Sequence, residues 1–281
     1  MTSSAERFTR LATRFGESGL RRLGPEAGAD LADLVVPLRV LPYFHVLPEE
    51  SASLRAYAEE EGQRLDEAQV SWARLGSDRA FDLCVTAAGE VRAVLLGYDE
   101  PERFVSSTAE AFADGLLLLD VLLESVAAAQ TPGEAAAAFR ATEQALRDAD
   151  PRAFADTEHW WPLVLEDIRT TASVECYATF EFAAPDGERH LVTRSGGIGV
   201  HPEQQVWSDL HAAGIQPAQV TRIHTELEAC FLPGHYCSMW LAMMFPDAAT
   251  THNVSTGETA AERAAAIEKL RQATQRTGSD G

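Results

Sequence analysis

A histidine, a glutamate and two cysteines in the last third of the sequence constrain the chain more than any other feature. His201 and Glu203 form an H-x-E, and Cys230 and Cys237 follow on either side of a Pro-Gly turn. One imidazole and two thiolates are a tetrahedral zinc set whose fourth position is open, as in catalytic sites. A glutamate beside such a set can handle the protons of the water that zinc activates. The sequence therefore predicts that His201, Cys230 and Cys237 bind Zn²⁺ and that Glu203 is catalytic.

The local sequence predicts that these side chains lie at helix ends. Pro202 suits a first helical position, and apolar residues at helical spacing continue until Gly214. Residues 219–227 are rich in β-branched side chains and predict a strand. A second helix, predicted from about residue 234 to 245, carries Cys237, whereas the other cysteine comes from the loop before it. This helix–strand–helix order predicts that the two halves of the metal site meet at neighbouring helix ends.

The H-x-E and the cysteines resemble the zinc-dependent deaminase superfamily, whose signature is H-x-E and then P-C-x-x-C. The segment T-E-L-E-A-C is most similar to bacterial polymorphic-toxin-type nucleic acid/nucleotide deaminases. Two departures are visible: Ala229 stands where the family has proline, and residues 231–236 separate the cysteines. The resemblance implies an α/β/α three-layer domain that hydrolytically deaminates a cytosine- or adenine-type base in a nucleotide or single-stranded nucleic acid.

The first half of the chain has a different pattern. The runs F-D-L-C-V and V-R-A-V-L-L, joined by a short segment that contains A-A-G-E, predict a hairpin, and F-V-S-S-T-A-E-A-F leads into a helix. Over roughly residues 30–130 this pattern resembles the SUKH family, an α+β fold of immunity proteins against bacterial toxins. The resemblance implies a toxin or immunity protein as a partner. We predict a SUKH-like α+β domain over residues 1–150 and a deaminase-like zinc domain over residues 151–281.

The charge of the chain bears on its substrate. The formal net charge is -20, and Lys269 is the only lysine. Proteins that bind nucleic acids usually present a basic face, because phosphate contacts supply most of the non-specific affinity. The substrate is then a nucleobase, nucleoside or nucleotide, or a strand held by a small local patch. The acidity is also explained if it serves solubility alone.

Cysteine content and hydropathy indicate the compartment. The four cysteines show no disulfide framework, which fits a reducing cytoplasm, and Cys84 and Cys176 are interpreted as small buried side chains on predicted strands. The sequence starts without a secretory signal. Its most apolar run, residues 116–123, contains Asp120 and predicts a buried helix. We expect a cytoplasmic protein with no membrane segment.

The residues leave alternatives to a catalytic zinc site. The C-terminal half could be a degenerate deaminase fold that serves as a non-catalytic immunity or adaptor protein and binds a protein partner. His224 or His235 could also complete a closed four-ligand zinc site that serves only folding. His224 and Glu226 form a second H-x-E on the predicted strand, and Glu226 is then the alternative catalytic carboxylate.

Overall fold

The computed structural model of the protein describes residues 3–184 and 187–279. The chain divides into two units, Met1–Leu165 and Glu166–Gly281. The sequence places the boundary near residue 150, and the division in the structure falls within the helix Trp160–Ser173. An α+β unit is followed by a unit of helices and a mixed sheet, which confirms the predicted fold class.

The N-terminal unit is built on a six-stranded antiparallel sheet. Its strands β3 to β8 lie side by side in chain order, and β1 and β2 form a separate pair. The helices are α1 (Ser4–Phe15), α2 (Leu54–Glu60), α3 (Ala109–Ala128), α4 (Pro132–Ala149) and the start of α5 (Trp160–Ser173). The strands are β1 (Leu20–Arg22), β2 (Val35–Pro37), β3 (Arg39–Val40), β4 (Phe44–His45), β5 (Ala73–Ser77), β6 (Asp82–Val85), β7 (Val91–Val94) and β8 (Arg103–Ser106).

Local signals in the sequence explain several of these elements. Strands β6 and β7 pair antiparallel, with Gly89 at positive φ in the turn between them, which confirms the predicted hairpin. The hydroxyl groups of Thr108 and Thr131 cap α3 and α4 by accepting backbone hydrogen bonds at 3.1 and 3.2 Å. The apolar run of residues 116–123 forms part of α3, and its first residue, Leu116, is fully buried. In the part of the chain that the structure describes, no helix is long and apolar enough to cross a membrane.

The C-terminal unit is a four-stranded sheet with helices. Its strands are β9 (Tyr177–Ala183), β10 (Arg189–Ser195), β11 (Val220–Leu227) and β12 (Ala249–Val254), and its helices after α5 are α6 (Pro202–Ala212), α7 (Cys237–Met244) and α8 (Ala260–Ser279). The strand order is β10-β9-β11-β12, in which β11 and β12 run parallel and the other pairs antiparallel. Parallel neighbours need a crossover connection, and α7 supplies it between β11 and β12.

The core of this unit lies between the sheet and helices α6 and α7. Phe180 of β9 and Ile223 of β11 pair across the strands and are buried against Val206 of α6 and Leu241 of α7. These side chains fall at strand and helix periods, so each element buries one face. The core therefore fixes where α6 and α7 begin relative to the end of β11.

Two predicted boundaries are wrong in this unit. The sequence predicts a strand over residues 174–182, but β9 begins at Tyr177, because α5 continues to Ser173 and the carbonyl oxygen of Thr170 accepts the N–H of Val174 at 3.0 Å. Helix α7 begins at Cys237 and not at Gly234, because Tyr236 has left-handed backbone angles of φ 45 and ψ 44. Both differences alter the surroundings of the candidate site.

Candidate metal centre

The histidine and the glutamate lie at the start of α6. His201 is the N-cap residue with extended backbone angles, and Pro202 occupies the first helical position. Glu203 lies in the first turn and is only 4% exposed. Proline is favoured here because its missing N–H would have no helical partner. The local sequence thus turns both side chains inward from one helix end.

The two cysteines are held by the loop that precedes α7. Cys237 is the first residue of this helix and is fully buried, and Cys230 is half-buried in the loop. Ser238 donates two hydrogen bonds to the carbonyl oxygen of Cys230, from its backbone nitrogen at 3.0 Å and from its Oγ at 3.1 Å. The loop of residues 231–236 is therefore hydrogen-bonded between its two ends, which brings the two cysteines together despite their wider spacing in the sequence.

The three predicted ligand atoms converge. The Nδ1 atom of His201 lies 3.4 Å from the Sγ of Cys230 and 3.4 Å from the Sγ of Cys237. All three atoms lie within 4.8 Å of one another. In a tetrahedral site with a Zn–N bond of about 2.1 Å and a Zn–S bond of about 2.3 Å, the nitrogen and each sulfur lie about 3.5 Å apart. The spacing therefore fits a zinc ion bound by these three atoms.

A buried aspartate of α5 contacts the outer side of His201. Asp167 Oδ1 lies 2.8 Å from His201 Nε2, and Asp167 Oδ2 lies 3.1 Å from His235 Nε2. The rings of the two histidines stack, with centroids 3.8 Å apart and planes 7° apart. The Nδ1 of His235 lies 3.3 Å from Gln204 Oε1. The predictions from sequence include His235 only as a possible fourth zinc ligand, and they do not include Asp167 or Gln204.

Electrostatics distribute the protons among these groups. A hydrogen bond with Cys237 and the nearby His201 hold the pKa of the Cys230 thiol well below its usual range, although burial opposes them. Burial raises the pKa of Cys237 well above that range. Burial lowers the pKa of His201, but Cys230 and Asp167 outweigh it and raise this pKa overall. A bound cation would displace the protons on Cys237 and on His201 Nδ1, because metal ligands must be deprotonated.

The carboxylate of Glu203 has one oxygen without a hydrogen-bond partner in the described part of the chain. Its Oε2 is buried and has no hydrogen-bond partner among the described residues. Burial raises the pKa of this carboxyl group, against the opposing charge of His201. Such an atom is costly to bury unless a partner binds there, so Glu203 is poised to receive a proton or a hydrogen-bond donor.

A cleft opens at this point of the C-terminal unit. It is lined by His201, Glu203 and Cys230, and by residues of α5, β11 and the loop before α6. Cys176 also lines it, at half burial, and burial raises the pKa of its thiol to about 11. The interpretation of Cys176 as a strand residue is wrong, because β9 starts one residue later. Its high pKa leaves it a neutral thiol beside the site.

The second H-x-E lies away from the metal-ligand cluster. On β11, His224 Nδ1 is 2.9 Å from the hydroxyl of Thr251, and Glu226 accepts the N–H of Tyr177 at 2.9 Å. Neither residue belongs to the clusters of potential metal ligands that the described residues form. His235 shares its cluster with Asp167 and His201 and is not grouped with the two thiols. Among the described residues, the cluster that contains both thiols therefore has three potential metal ligands, His201, Cys230 and Cys237.

Comparisons with known families agree with the two resemblances in the sequence. A family model described as Xanthomonas-like deaminase matches residues 173–273. The model of the SUKH-4 immunity protein family matches residues 8–167. Comparison with curated proteins and with solved structures gives no match. The predicted order, SUKH and then deaminase, is confirmed: the chain belongs to the SUKH-4 immunity protein family and carries a deaminase-like domain after its SUKH-4 region.

Proposed function

We propose that the C-terminal unit is a zinc-dependent hydrolytic deaminase of a cytosine- or adenine-type base. The convergence of one imidazole nitrogen and two sulfurs beside a buried glutamate carries the proposal. His201 Nδ1, Cys230 Sγ and Cys237 Sγ hold the zinc. The alignment of residues 173–273 with a deaminase family supports the reaction class.

Bound zinc supplies a water molecule of lowered pKa and a positive charge beside the reacting carbon. Glu203 Oε2 accepts the proton of the attacking water, because this atom is buried and has no other partner among the described residues. The same carboxyl group donates this proton to the ring nitrogen as the water oxygen bonds to the amino-bearing carbon. It then accepts the second proton, from the hydroxyl group now on that carbon, and donates it to the amino group, which leaves as ammonia while the carbonyl group forms. A pKa raised by burial suits a group that must both accept and return a proton near neutral pH.

Charges around the cleft bear on how the substrate presents its base. Besides His201, the charged side chains that line the cleft are Glu203 and Glu228, and no arginine or lysine of the described chain lines it. Two arginines elsewhere in the unit pair with acids, Arg194 with Asp209 at 2.6 Å and Arg263 with Glu166 at 2.6 Å. We propose that the base enters alone and that any phosphate of a nucleotide or single strand stays outside the cleft.

The direct test is metal analysis and ammonia release by the full-length chain. We expect one zinc per chain and ammonia from at least one of cytidine, adenosine, their 5′-monophosphates and a single-stranded oligonucleotide. A chain that neither holds nor takes up zinc would overturn the proposal. A chain that holds zinc and releases no ammonia from any of these would support a degenerate fold kept for binding.

A second candidate function is the binding of a toxin or immunity protein by the N-terminal unit. The match of residues 8–167 to an immunity protein family carries this candidate. A reducing cytoplasm would keep the zinc thiolates available, and we propose that the chain acts there. Purification from native lysate should yield one protein in fixed stoichiometry, and mass spectrometry would identify it. Chelation of zinc should leave that complex intact if the N-terminal unit alone makes it, and a chain that purifies alone would count against this function.

A further inference from the structure

One carboxylate of α5 contacts both histidines of the site. Asp167 and His235 are each 1% exposed. The two oxygens of Asp167 serve different rings, Oδ1 at 2.8 Å from His201 Nε2 and Oδ2 at 3.1 Å from His235 Nε2. At these distances the buried carboxylate forms a hydrogen bond with Nε2 of His201 and an ion-pair contact with the ring of His235.

The contact with Asp167 determines which nitrogen of His201 faces the sulfurs. The carboxylate accepts a hydrogen bond from Nε2, so the proton stays on Nε2 when the ring is neutral. Nδ1 then keeps its lone pair, and this is the atom 3.4 Å from both sulfurs. Metal-binding histidines generally donate their other N–H to a carboxylate or carbonyl group, which fixes tautomer and orientation.

His235 restricts the ring of His201 from the side. Its ring is stacked on His201 at a centroid distance of 3.8 Å, and its two nitrogens face Asp167 and Gln204. Gln204 follows Glu203 on α6, so the stack connects the loop before α7 to the helix that carries the glutamate. The contact with Gln204, the nearby Asp167 carboxylate and the stacked ring of His201 together restrict rotation of both imidazole rings.

The same turn of α5 also holds the backbone before His201. The hydroxyl of Thr171 donates to the carbonyl oxygen of Asp167 at 2.9 Å and accepts the N–H of Gly199 at 3.0 Å. Helix α5 thus fixes both the ring of His201 and the segment two residues upstream. These contacts hold the ligand in place before any metal arrives, which lowers the ordering cost of binding.

We propose that Asp167 is the positioning residue of the metal centre, and that it acts through His201 with His235 as a stacked brace. The inference rests on the proposed zinc site, and it concerns residues that bind neither metal nor substrate. The variant Asp167→Asn keeps the size of the side chain and one acceptor, but its NH₂ group faces an N–H donor. The expected result is zinc affinity lower by about 10–100-fold, the usual effect of losing such an outer partner.

The experiment measures zinc affinity by competition with a chelator, together with the Co²⁺ absorption spectrum, on the full-length chain. Asp167→Asn should keep the sulfur-to-metal charge-transfer band and shift the ligand-field bands, because the sulfurs remain and the imidazole moves. Glu166→Gln is the matched control, because Glu166 precedes Asp167 on α5 but pairs with Arg263 of α8 at 2.6 Å and does not line the site. An equal affinity loss in this control would assign the effect to a loosened helix and overturn the proposal.

A second variant keeps the test decisive if Asp167→Asn does not fold. His235→Phe retains a flat ring on His201 but removes the nitrogen that lies 3.1 Å from Asp167 Oδ2, and it should weaken zinc binding with the same spectral shift. If His235→Phe has the zinc affinity and the spectrum of the wild type, the proposed role of His235 is wrong. If both variants behave like the wild type, the whole proposal is wrong. A wild-type chain that takes up no metal would instead contradict the proposed zinc site itself.

Discussion

The Nδ1 atom of His201 lies 3.4 Å from the Sγ of Cys237, the first residue of α7. The histidine caps α6, so the N-terminal ends of two helices meet at this contact. Helix N-termini stabilise negative charge, and thiolates there have lowered pKa values. At Cys237 burial outweighs this effect and holds the pKa of the thiol well above its usual range, so a bound cation is needed to displace its proton.

The first prediction distinguishes the two cysteines of the metal site from Cys176, which also lines the cleft. Cys230→Ser and Cys237→Ser should each lose bound zinc, because serine is a poor zinc ligand beside one remaining sulfur. Each variant should also melt at a lower temperature than the wild type, since metal binding adds to folding free energy. Chelator treatment of the wild type should lower its melting temperature to a similar extent.

Cys176→Ser is the control for these variants. Cys176 lines the same cleft but lies outside the cluster of potential metal ligands. Zinc per chain, measured by atomic emission, should equal the wild-type value in this variant. Loss of zinc from Cys176→Ser together with retention in Cys230→Ser would contradict the ligand assignment.

The second prediction concerns the glutamate. Glu203→Gln should keep zinc content and melting temperature nearly unchanged, because the amide has the same size and places no new charge in the buried site. Ammonia release should fall by at least about 10²–10⁴-fold, which is the typical contribution of a single general acid–base group, because this residue handles several proton transfers. Ammonia release at the wild-type rate with zinc still bound would sink the assignment and make Glu226 the next residue to vary.

Local signals explain which parts of the site could be predicted. Pro202 at a first helical position and the β-branched residues of Val220–Leu227 act through neighbours in the sequence, so α6 and β11 lie close to where the sequence predicts them. The start of α7 depends instead on the left-handed backbone of Tyr236, which is buried and held by tertiary packing. No periodicity of side chains encodes such a conformation.

Asp167 shows why the rest of the site could not be predicted. It follows buried Leu163 and Val164 at helical spacing, so an acid lies on the apolar face of α5. This pattern was a usable signal that the residue is buried and has a partner. The pattern gives no signal that His201 is the partner, because His201 lies at the start of another helix, whose position depends on its packing against the sheet.

The third prediction concerns the pH dependence of stability in the N-terminal unit. Hydrogen bonds from Arg92 at 2.8 Å and Arg152 at 2.7 Å lower the pKa of Glu90. The folded pKa thus lies below the unfolded value of about 4.3. The ionised carboxylate stabilises the fold above that value, and the contribution is lost as the pH falls through the folded pKa.

Glu90→Gln should therefore be less stable than the wild type at pH 7 and equally stable in strong acid. The difference should be at most about 1 kcal/mol, because these ion pairs are partly exposed and screened by water. Urea unfolding at several pH values measures it, with the exposed Glu100→Gln as control. A difference that grows as the pH falls would contradict the sign of the pKa shift.

The last prediction concerns substrate charge. A phosphate charge about 10 Å from a carboxylate is destabilised by about 1–2 kcal/mol at an effective dielectric constant of about 20. Since Glu203 and Glu228 line the cleft, kcat/KM for a nucleoside should exceed that for its 5′-monophosphate by about tenfold, the equivalent of about 1.4 kcal/mol. The carboxylate of Glu228 accepts hydrogen bonds from Ser255 and from the N–H of Thr256, which fixes its charge beside the cleft.

Two measurements distinguish this charge effect from a steric one. Glu228→Gln should narrow the ratio between nucleoside and monophosphate, because glutamine keeps an acceptor oxygen but carries no charge. Raising the ionic strength should narrow it as well, since salt screens exposed charges. A single-stranded oligonucleotide deaminated faster than the nucleoside, at a rate that falls steeply with salt, would reveal phosphate contacts. That outcome would contradict the predicted exclusion of phosphate from the cleft and leave the deaminase proposal standing.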